Sequence, residues 1–271
     1  MTKWILLFAG VIIFYLWFKG KNRAKVSANR ELRASAPQSK RSTPETMVQC
    51  QYCQLHLPKS SALINEERYY CSAGHLNAID ASGWLGSAFW RASPNQDARP
   101  EGMNPDLMVI HHISLPPGGF VKGRCTQFVI DFFQNKLDSD LDPYFKEIAN
   151  QTVSSHFLIA RSGEIFQLVS THNRAWHAGL SSFLGREKCN DFSIGVELEG
   201  DGDHPFEEIQ YLSLANLSGQ LHSMYPNLAF AGHSDIAPNR KTDPGTSFDW
   251  EKFRTKSNIS SEKLPFGLHS R

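Results

Sequence analysis

Apolar and polar positions divide the chain into a charge-free opening run, a polar stretch, a cysteine-rich segment and a long globular remainder. In the remainder, DLMVIHHI (106–113) is a continuous apolar run with β-branched residues and predicts a buried strand. RCTQFVIDFFQNKL places apolar residues at 125, 128, 129, 132, 133 and 137, the spacing of one helical face. SSHFLIARSGEIFQLV (154–169) predicts two strands around a turn at Ser162 and Gly163, and FSIGVELEG (192–200) predicts another strand. Leu214, Leu217, Leu221 and Met224 mark a second helix, with Pro205, Glu207 and Glu208 suited to its start. FDWEKFRTK predicts a short closing helix. Strands and helices interleave and hairpins occur among them. The expected fold class is therefore α+β, a central mixed sheet flanked by helices.

The opening run, WILLFAGVIIFYLWF (Trp4 to Phe18), carries no charge. As a helix it would reach only about 22 Å, short for a hydrocarbon core of about 30 Å. Lys3 and Lys19 can extend that reach by snorkelling, and Trp4 and Trp17 suit the interfaces. A signal peptide is the rival reading, with ASA at 34–36 as a cleavage site. The basic KGKNRAK directly behind the run resists translocation. Residues 1–19 are thus expected to be an inner-membrane transmembrane anchor, with the catalytic domain facing the cytoplasm. Residues 20–46 lack hydrophobic periodicity and are expected to be a basic flexible linker.

Charge sharpens this picture. Residues 1–46 hold nine Lys/Arg against two Glu, a net of +7, so the remaining chain carries −6 of an overall +1. A nucleic-acid-binding domain carries its basic charge on the folded part, so no nucleic-acid partner is expected.

Five cysteines are an odd number, and three of them cluster. Cys50 and Cys53 form a C-x-x-C pair, and Cys71 and His75 follow as C-x-x-x-H. Three thiolates and one imidazole would close a tetrahedral shell around a structural zinc, with His56 as the fallback ligand. Such a site replaces the core that some thirty residues cannot build. Residues 47–78 are therefore expected to form a small zinc-ribbon-like domain, with an unidentified protein partner as one possible use. The rival is that the thiols are buried or redox-active. The segment resembles small membrane-anchored zinc-ribbon-like bacterial proteins, which implies no particular activity.

Candidate catalytic chemistry lies further on, where residues 83–257 form the large domain and 258–271 a tail. His111 ends the first strand run, Glu197 lies in the GVELEG strand, and His233, Lys241 and Asp243 sit in GHSDIAPNRKTDPG. Two imidazoles and a carboxylate can hold zinc and leave a position open. A further carboxylate can accept a proton from water, and a lysine can face charge developing on a carbonyl oxygen. Each signal is weak alone. His111 could be a hydrogen-bonded core histidine, Glu197 a rim charge and Asp243 a turn cap. His156, His172, His177 and His222 compete as ligands.

The words GWL (83–85), VIHHISLPPG (109–118), RAWHAG (174–179), GREKCNDFSIGVELEG (185–200) and GHSDIAPNRKTDPG together resemble the zinc N-acetylmuramoyl-L-alanine amidases. That family also includes phage lysozyme and the peptidoglycan recognition proteins. The resemblance covers about two thirds of the chain. It implies a catalytic zinc on His111, His233 and Asp243, with Glu197 as general base and Lys241 steadying the oxyanion. It implies a muropeptide substrate, cut between (1,6-anhydro)-N-acetylmuramic acid and L-alanine during cell-wall recycling. The alternatives are a periplasmic peptidoglycan-trimming amidase and a non-catalytic muropeptide sensor. His112, Trp176, His177, Lys188 and Arg240 are the implied substrate-binding residues. Lys188 and Thr152 stand where close relatives carry Arg, so a bidentate grip on the acidic peptide is altered.

Overall fold

The computed structural model describes Tyr15–Trp17, Lys19 and residues 45–268. Most of the expected anchor (1–19), nearly all of the expected linker (20–46) and the last three residues of the tail lie outside the described residues. The chain divides into two units, Met1–Glu45 and Thr46–Arg271, and everything below concerns the second. The expected inner-membrane placement is corrected. Among the described residues no helix is long and apolar enough to cross a membrane.

The second unit opens with two small hairpins. Strand β1 (Met47–Gln49) pairs antiparallel with β2 (His56–Pro58), and β3 (Leu63–Asn65) with β4 (Arg68–Tyr70). A one-turn helix, α1 (Ala73–Leu76), follows, capped by Ser72 Oγ. Next come β5 (Phe89–Trp90), β6 (Gln96–Ala98) and β7 (Leu107–Ile113). Helices α2 (Cys125–Phe133) and α3 (Pro143–Ile148) lead to β8 (Phe157–Ile159), β9 (Ile165–Gln167) and β10 (Asn173–Ala175). A small hairpin, β11 (Ser182–Phe183) and β12 (Arg186–Glu187), precedes β13 (Ser193–Glu199). Helix α4 (Glu208–Met224), β14 (Ala229–Gly232), α5 (His233–Ile236) and α6 (Trp250–Ser257) complete the order.

Six strands form the central sheet in the order β14-β7-β13-β8-β9-β5. Strands β14, β7, β13 and β8 run parallel, and β9 returns antiparallel to β8, so the sheet is mixed as expected. A parallel strand covered on both faces reads as continuous apolar sequence, which explains LMVI in β7 and the complete burial of β13. Alternation sorts the faces. Met108, Ile110, Ile194, Val196 and Leu198 pack with Leu214, Leu217 and Leu221 of α4. Leu107 and Val109 face the other way, with Ala178 and Phe192. Helix α2 buries Val129, Ile130 and Phe133 against Leu158, Leu168 and Val169. The predicted start of α4 takes the form of a capping box between Glu207 and Gln210.

Candidate active site

Three parallel strands set the site. In their pairing, Glu197 of β13 lies opposite His111 of β7. Paired residues in parallel strands point to the same side, so both side chains leave the face that α4 does not cover. Strand β14 lies on the other flank of β7 and ends at Gly232, which delivers His233 at the same edge of the sheet. Carboxyl ends of parallel strands are where such folds place ligands. The loop after α5 returns Asp243, whose backbone carbonyl accepts a hydrogen bond from Ser234 N–H at 2.9 Å.

The donor atoms of His111, His233 and Asp243 lie within 4.8 Å of one another, and all three residues are buried. Nδ1 of His111 stands 2.8 Å from Asp243 Oδ2, and Nδ1 of His233 stands 3.0 Å from the same oxygen. Each outer ring nitrogen already has a partner. His233 Nε2 is 3.1 Å from the Ala178 carbonyl, and His111 Nε2 is 2.9 Å from His177 Nδ1. His177 Nε2 is in turn 3.0 Å from Ser193 Oγ. A cation among the three donors requires each imidazole proton on Nε2, and an acceptor waits there in both cases. Two imidazoles, one carboxylate and held outer nitrogens fit a zinc centre.

Electrostatics agree with that fit. Burial pulls His111 down to about 4, against the pull of Asp243, which keeps the ring neutral and able to ligate. Burial opposes ionisation of Asp243, but the adjoining His111 and His233 rings outweigh it and hold the carboxyl well below its usual range. Glu197 behaves oppositely. Burial, then the charge of Asp243, push it well above the carboxylate range, while Lys241 pulls it partway back. Its Oε2 is buried with no hydrogen-bond partner. A buried carboxylate oxygen left open beside a ligand cluster is positioned to take a proton from a molecule in the cleft.

That cleft is about 800 Å³, lined by His111, Glu197, His233, Asp243 and the exposed Lys241, with Trp176 and Tyr144 among its walls. His112 alternates to the other face of β7 but, near the end of the strand, still borders the cleft. There it lies so close to Gly202 that a Cβ on that glycine would come within 2.7 Å of His112 Nε2. Trp176 is held by Asp97, whose Oδ1 accepts from Nε1 at 3.2 Å. Lys188 and Arg240 line a neighbouring hollow of about 470 Å³ instead. Arg240 there donates to the Ala178 and Leu180 carbonyls. Thr152 is exposed.

The competing histidines separate cleanly. His172 and His222 are exposed and outside the cluster. His156 is fully buried, but its Nδ1 accepts from Gly195 N–H and its Nε2 faces the Asn173 carbonyl, so neither nitrogen is available. His177 touches the cluster from outside. Its ring fills the notch above Gly195, where a Cβ would come within 2.5 Å of His177 Cγ. Its backbone N–H and that of Ala178 donate to Asn190 Oδ1. The supporting residues Asn190, Ser193 and Gly195 escape sequence reasoning, because nothing local separates a glycine that seats a ring from any other strand glycine.

A second cluster gathers Cys50, Cys53, Cys71 and His75, again with donor atoms within 4.8 Å. Burial pushes the Cys50 thiol up, but backbone N–H groups of Cys53, Cys71 and Tyr52 outweigh it and bring it down to about 6. His56 is exposed on β2 and lies outside the cluster.

Comparison with known proteins places this geometry. The family described as N-acetylmuramoyl-L-alanine amidase matches residues 101–246. The 1,6-anhydro-N-acetylmuramyl-L-alanine amidase AmpD of Citrobacter freundii is 49% identical over 183 residues, covering 67% of this chain and 96% of its own. AmpD of Haemophilus influenzae is 51% identical over 164 residues, covering 59% of this chain and 87% of its own. Among solved structures, a selenomethionine AmpD derivative superposes with a TM-score of 0.62 at 48% identity, covering 65% of this chain and 97% of that one. The few per cent of the Citrobacter enzyme left unmatched is too little for a counterpart of residues 1–46, so the inner-membrane placement finds no support there either.

Proposed function

The chain belongs to the N-acetylmuramoyl-L-alanine amidase family, and from that premise we infer that it hydrolyses the amide between 1,6-anhydro-N-acetylmuramic acid and the L-alanine of muropeptides, in cell-wall recycling. Residues 83–257 carry the chemistry in this reading. One observation carries it furthest. A buried carboxylate with an open oxygen, Glu197, lies in register beside His111 at the edge where His233 and Asp243 converge.

His111, His233 and Asp243 would hold the catalytic zinc, which when bound polarises the scissile carbonyl and acidifies water. The rest is the work of side chains. Glu197, its proton affinity raised by burial, takes a proton from the attacking water and returns it to the departing amine. Lys241, exposed at the cleft, turns its ammonium toward the carbonyl oxygen as negative charge develops. His177 and the Ala178 carbonyl keep the two ligand imidazoles in the tautomer that leaves Nδ1 free. Trp176 and His112 border the cleft for the sugar and peptide, and Arg240 and Lys188 flank it from the adjoining hollow. A second, structural zinc belongs on Cys50, Cys53, Cys71 and His75.

Replacing Glu197 with Gln tests the reading. Turnover of an anhydro-muropeptide, followed by chromatographic release of the peptide, should fall about 10²- to 10⁴-fold while bound zinc is unchanged. Turnover at the wild-type rate would refute the assigned base.

A further inference from the structure

The cysteine-rich hairpins are not an isolated bead. Asn65 Nδ2 donates to the carbonyls of Gly86 and Ala88 at 2.8 and 3.1 Å. Arg68 donates to the Ala88 carbonyl at 2.7 Å and lays its guanidinium 3.9 Å from the Trp90 ring centre. Glu66 pairs with Arg91 at 2.7 Å. The Tyr70 ring lies so close beneath Gly86 that a Cβ there would come within 2.8 Å of it. Gly86, Ala88, Trp90 and Arg91 belong to the segment that forms β5, the last strand of the six-stranded sheet. An edge strand leaves backbone groups open, and natural proteins cover them. Here the cover is the β3–β4 hairpin.

That cover has little apolar substance of its own. Its buried core is Cys50, Leu57 and Tyr70. So small a core does not hold two hairpins together without a staple. The staple is present as a donor set. Cys53 Sγ and Cys71 Sγ are 3.8 Å apart, as are Cys50 Sγ and His75 Nδ1, while Cys71 Sγ and His75 Nδ1 stand closer, at 3.0 Å. Ligands on a tetrahedral zinc, bound at about 2.0–2.3 Å, stand roughly 3.3–3.8 Å from each other. Cys50 Sγ is buried and accepts from Cys71 N–H at 3.4 Å, and the Tyr52 ring stacks on His75 at 4.4 Å. Three soft sulfurs and one imidazole select zinc over hard cations.

We propose that zinc on Cys50, Cys53, Cys71 and His75 locks the β3–β4 hairpin over the edge strand β5, so that metal binding at this site stabilises the amidase sheet itself. The inference rests on the structural zinc of the preceding reading and adds a task for it. The hairpins and the amidase sheet then form one cooperative unit, and losing the zinc frees β5 and the Gln167 end of β9 first.

The test uses the full chain. Cobalt substitution separates the two centres, because only the cysteine site can give thiolate-to-cobalt charge-transfer absorption. The wild-type chain should take up one equivalent with that band, and Cys53→Ser should lose it. Amide hydrogen exchange is then compared with and without metal at the cysteine site. Protection at Phe89, Trp90 and residues 165–167 should drop about tenfold or more when that metal is lost. Because Cys53→Ser could disturb folding directly, a second chain, Asn65→Ala with Arg68→Ala, keeps all four ligands. It should retain the cobalt band yet show the same loss of protection at β5. An absent charge-transfer band in the wild-type chain would overturn the metal site. A normal band with unchanged β5 protection after metal loss would overturn the coupling. Neither result touches the catalytic assignment, which fails separately if Glu197→Gln turns over normally.

Discussion

Gly195→Ala is the sharpest probe of the way the catalytic cluster is held. An added Cβ would sit 2.5 Å from His177 Cγ and 2.7 Å from Nδ1. Ordinary carbon contacts are about 3.5 Å or longer, so the ring must retreat by about 1 Å. It has no free direction. Ser193 Oγ stands 3.0 Å from Nε2, and Asn190 pins the backbone at 177 and 178. The 2.9 Å contact between His177 Nδ1 and His111 Nε2 would open to roughly 3.9 Å, beyond hydrogen-bond reach. Overpacking should cost about 1–3 kcal/mol of stability. Freeing the outer nitrogen of His111 should weaken catalytic zinc binding about 10- to 100-fold. The assay is competition against a graded chelator, with the thiolate centre followed separately by cobalt absorption. Gly219→Ala is the control, since that helical glycine has open space around its absent Cβ and should gain about 0.5–1 kcal/mol. Combining Gly195→Ala with His177→Ala should relieve the clash, leaving the double variant no weaker in zinc binding than His177→Ala alone. Zinc affinity of Gly195→Ala within twofold of wild type would refute the assigned role of His177.

Other expectations follow from the same site. Lys241→Met should lower turnover about 10²- to 10³-fold with zinc content intact, since an exposed cleft ammonium supports charge and not the fold. Equal loss of zinc would contradict that division of roles. Metal-free protein should lose stability as pH falls from about 6.5 toward 4. His111, His156 and His177 are held neutral by burial, so over that window the unfolded chain binds protons that the folded chain does not. Each such histidine steepens the fall by about 1.4 kcal/mol per pH unit, and Glu197, held protonated by burial in the folded chain, offsets one of them. Urea titrations of apo protein across that range should show it, and a flat profile would count against the buried, neutral rings. Arg240→Ala removes a cation from the hollow that flanks the cleft and should raise KM more than it lowers kcat, measurable by steady-state kinetics.

The hydrophobic pattern foretold β7 and β13 as buried strands, α2 and α4 as amphipathic helices, and the hairpin at Gly163, because these depend on local spacing. The C-x-x-C and C-x-x-x-H spacing likewise marked four donor residues that gather within one short segment. The length of the matching words pointed to the family. Periodicity could not say which two of six histidines would gather with Asp243. That choice came from strand order: β14, β7 and β13 lie side by side and parallel, which brings residues 111, 197 and 233 to one edge. It also sent His112 to the opposite face by simple alternation. Lys188 and Arg240 went to a neighbouring hollow through a loop whose path no local signal encodes. The seating of His177 on Gly195, and of the β3–β4 hairpin on β5, are contacts between segments distant in the chain. Local propensity acts over a few residues, whereas sheet pairing and side-chain packing bring together residues separated by tens of positions, so only the folded chain could decide them.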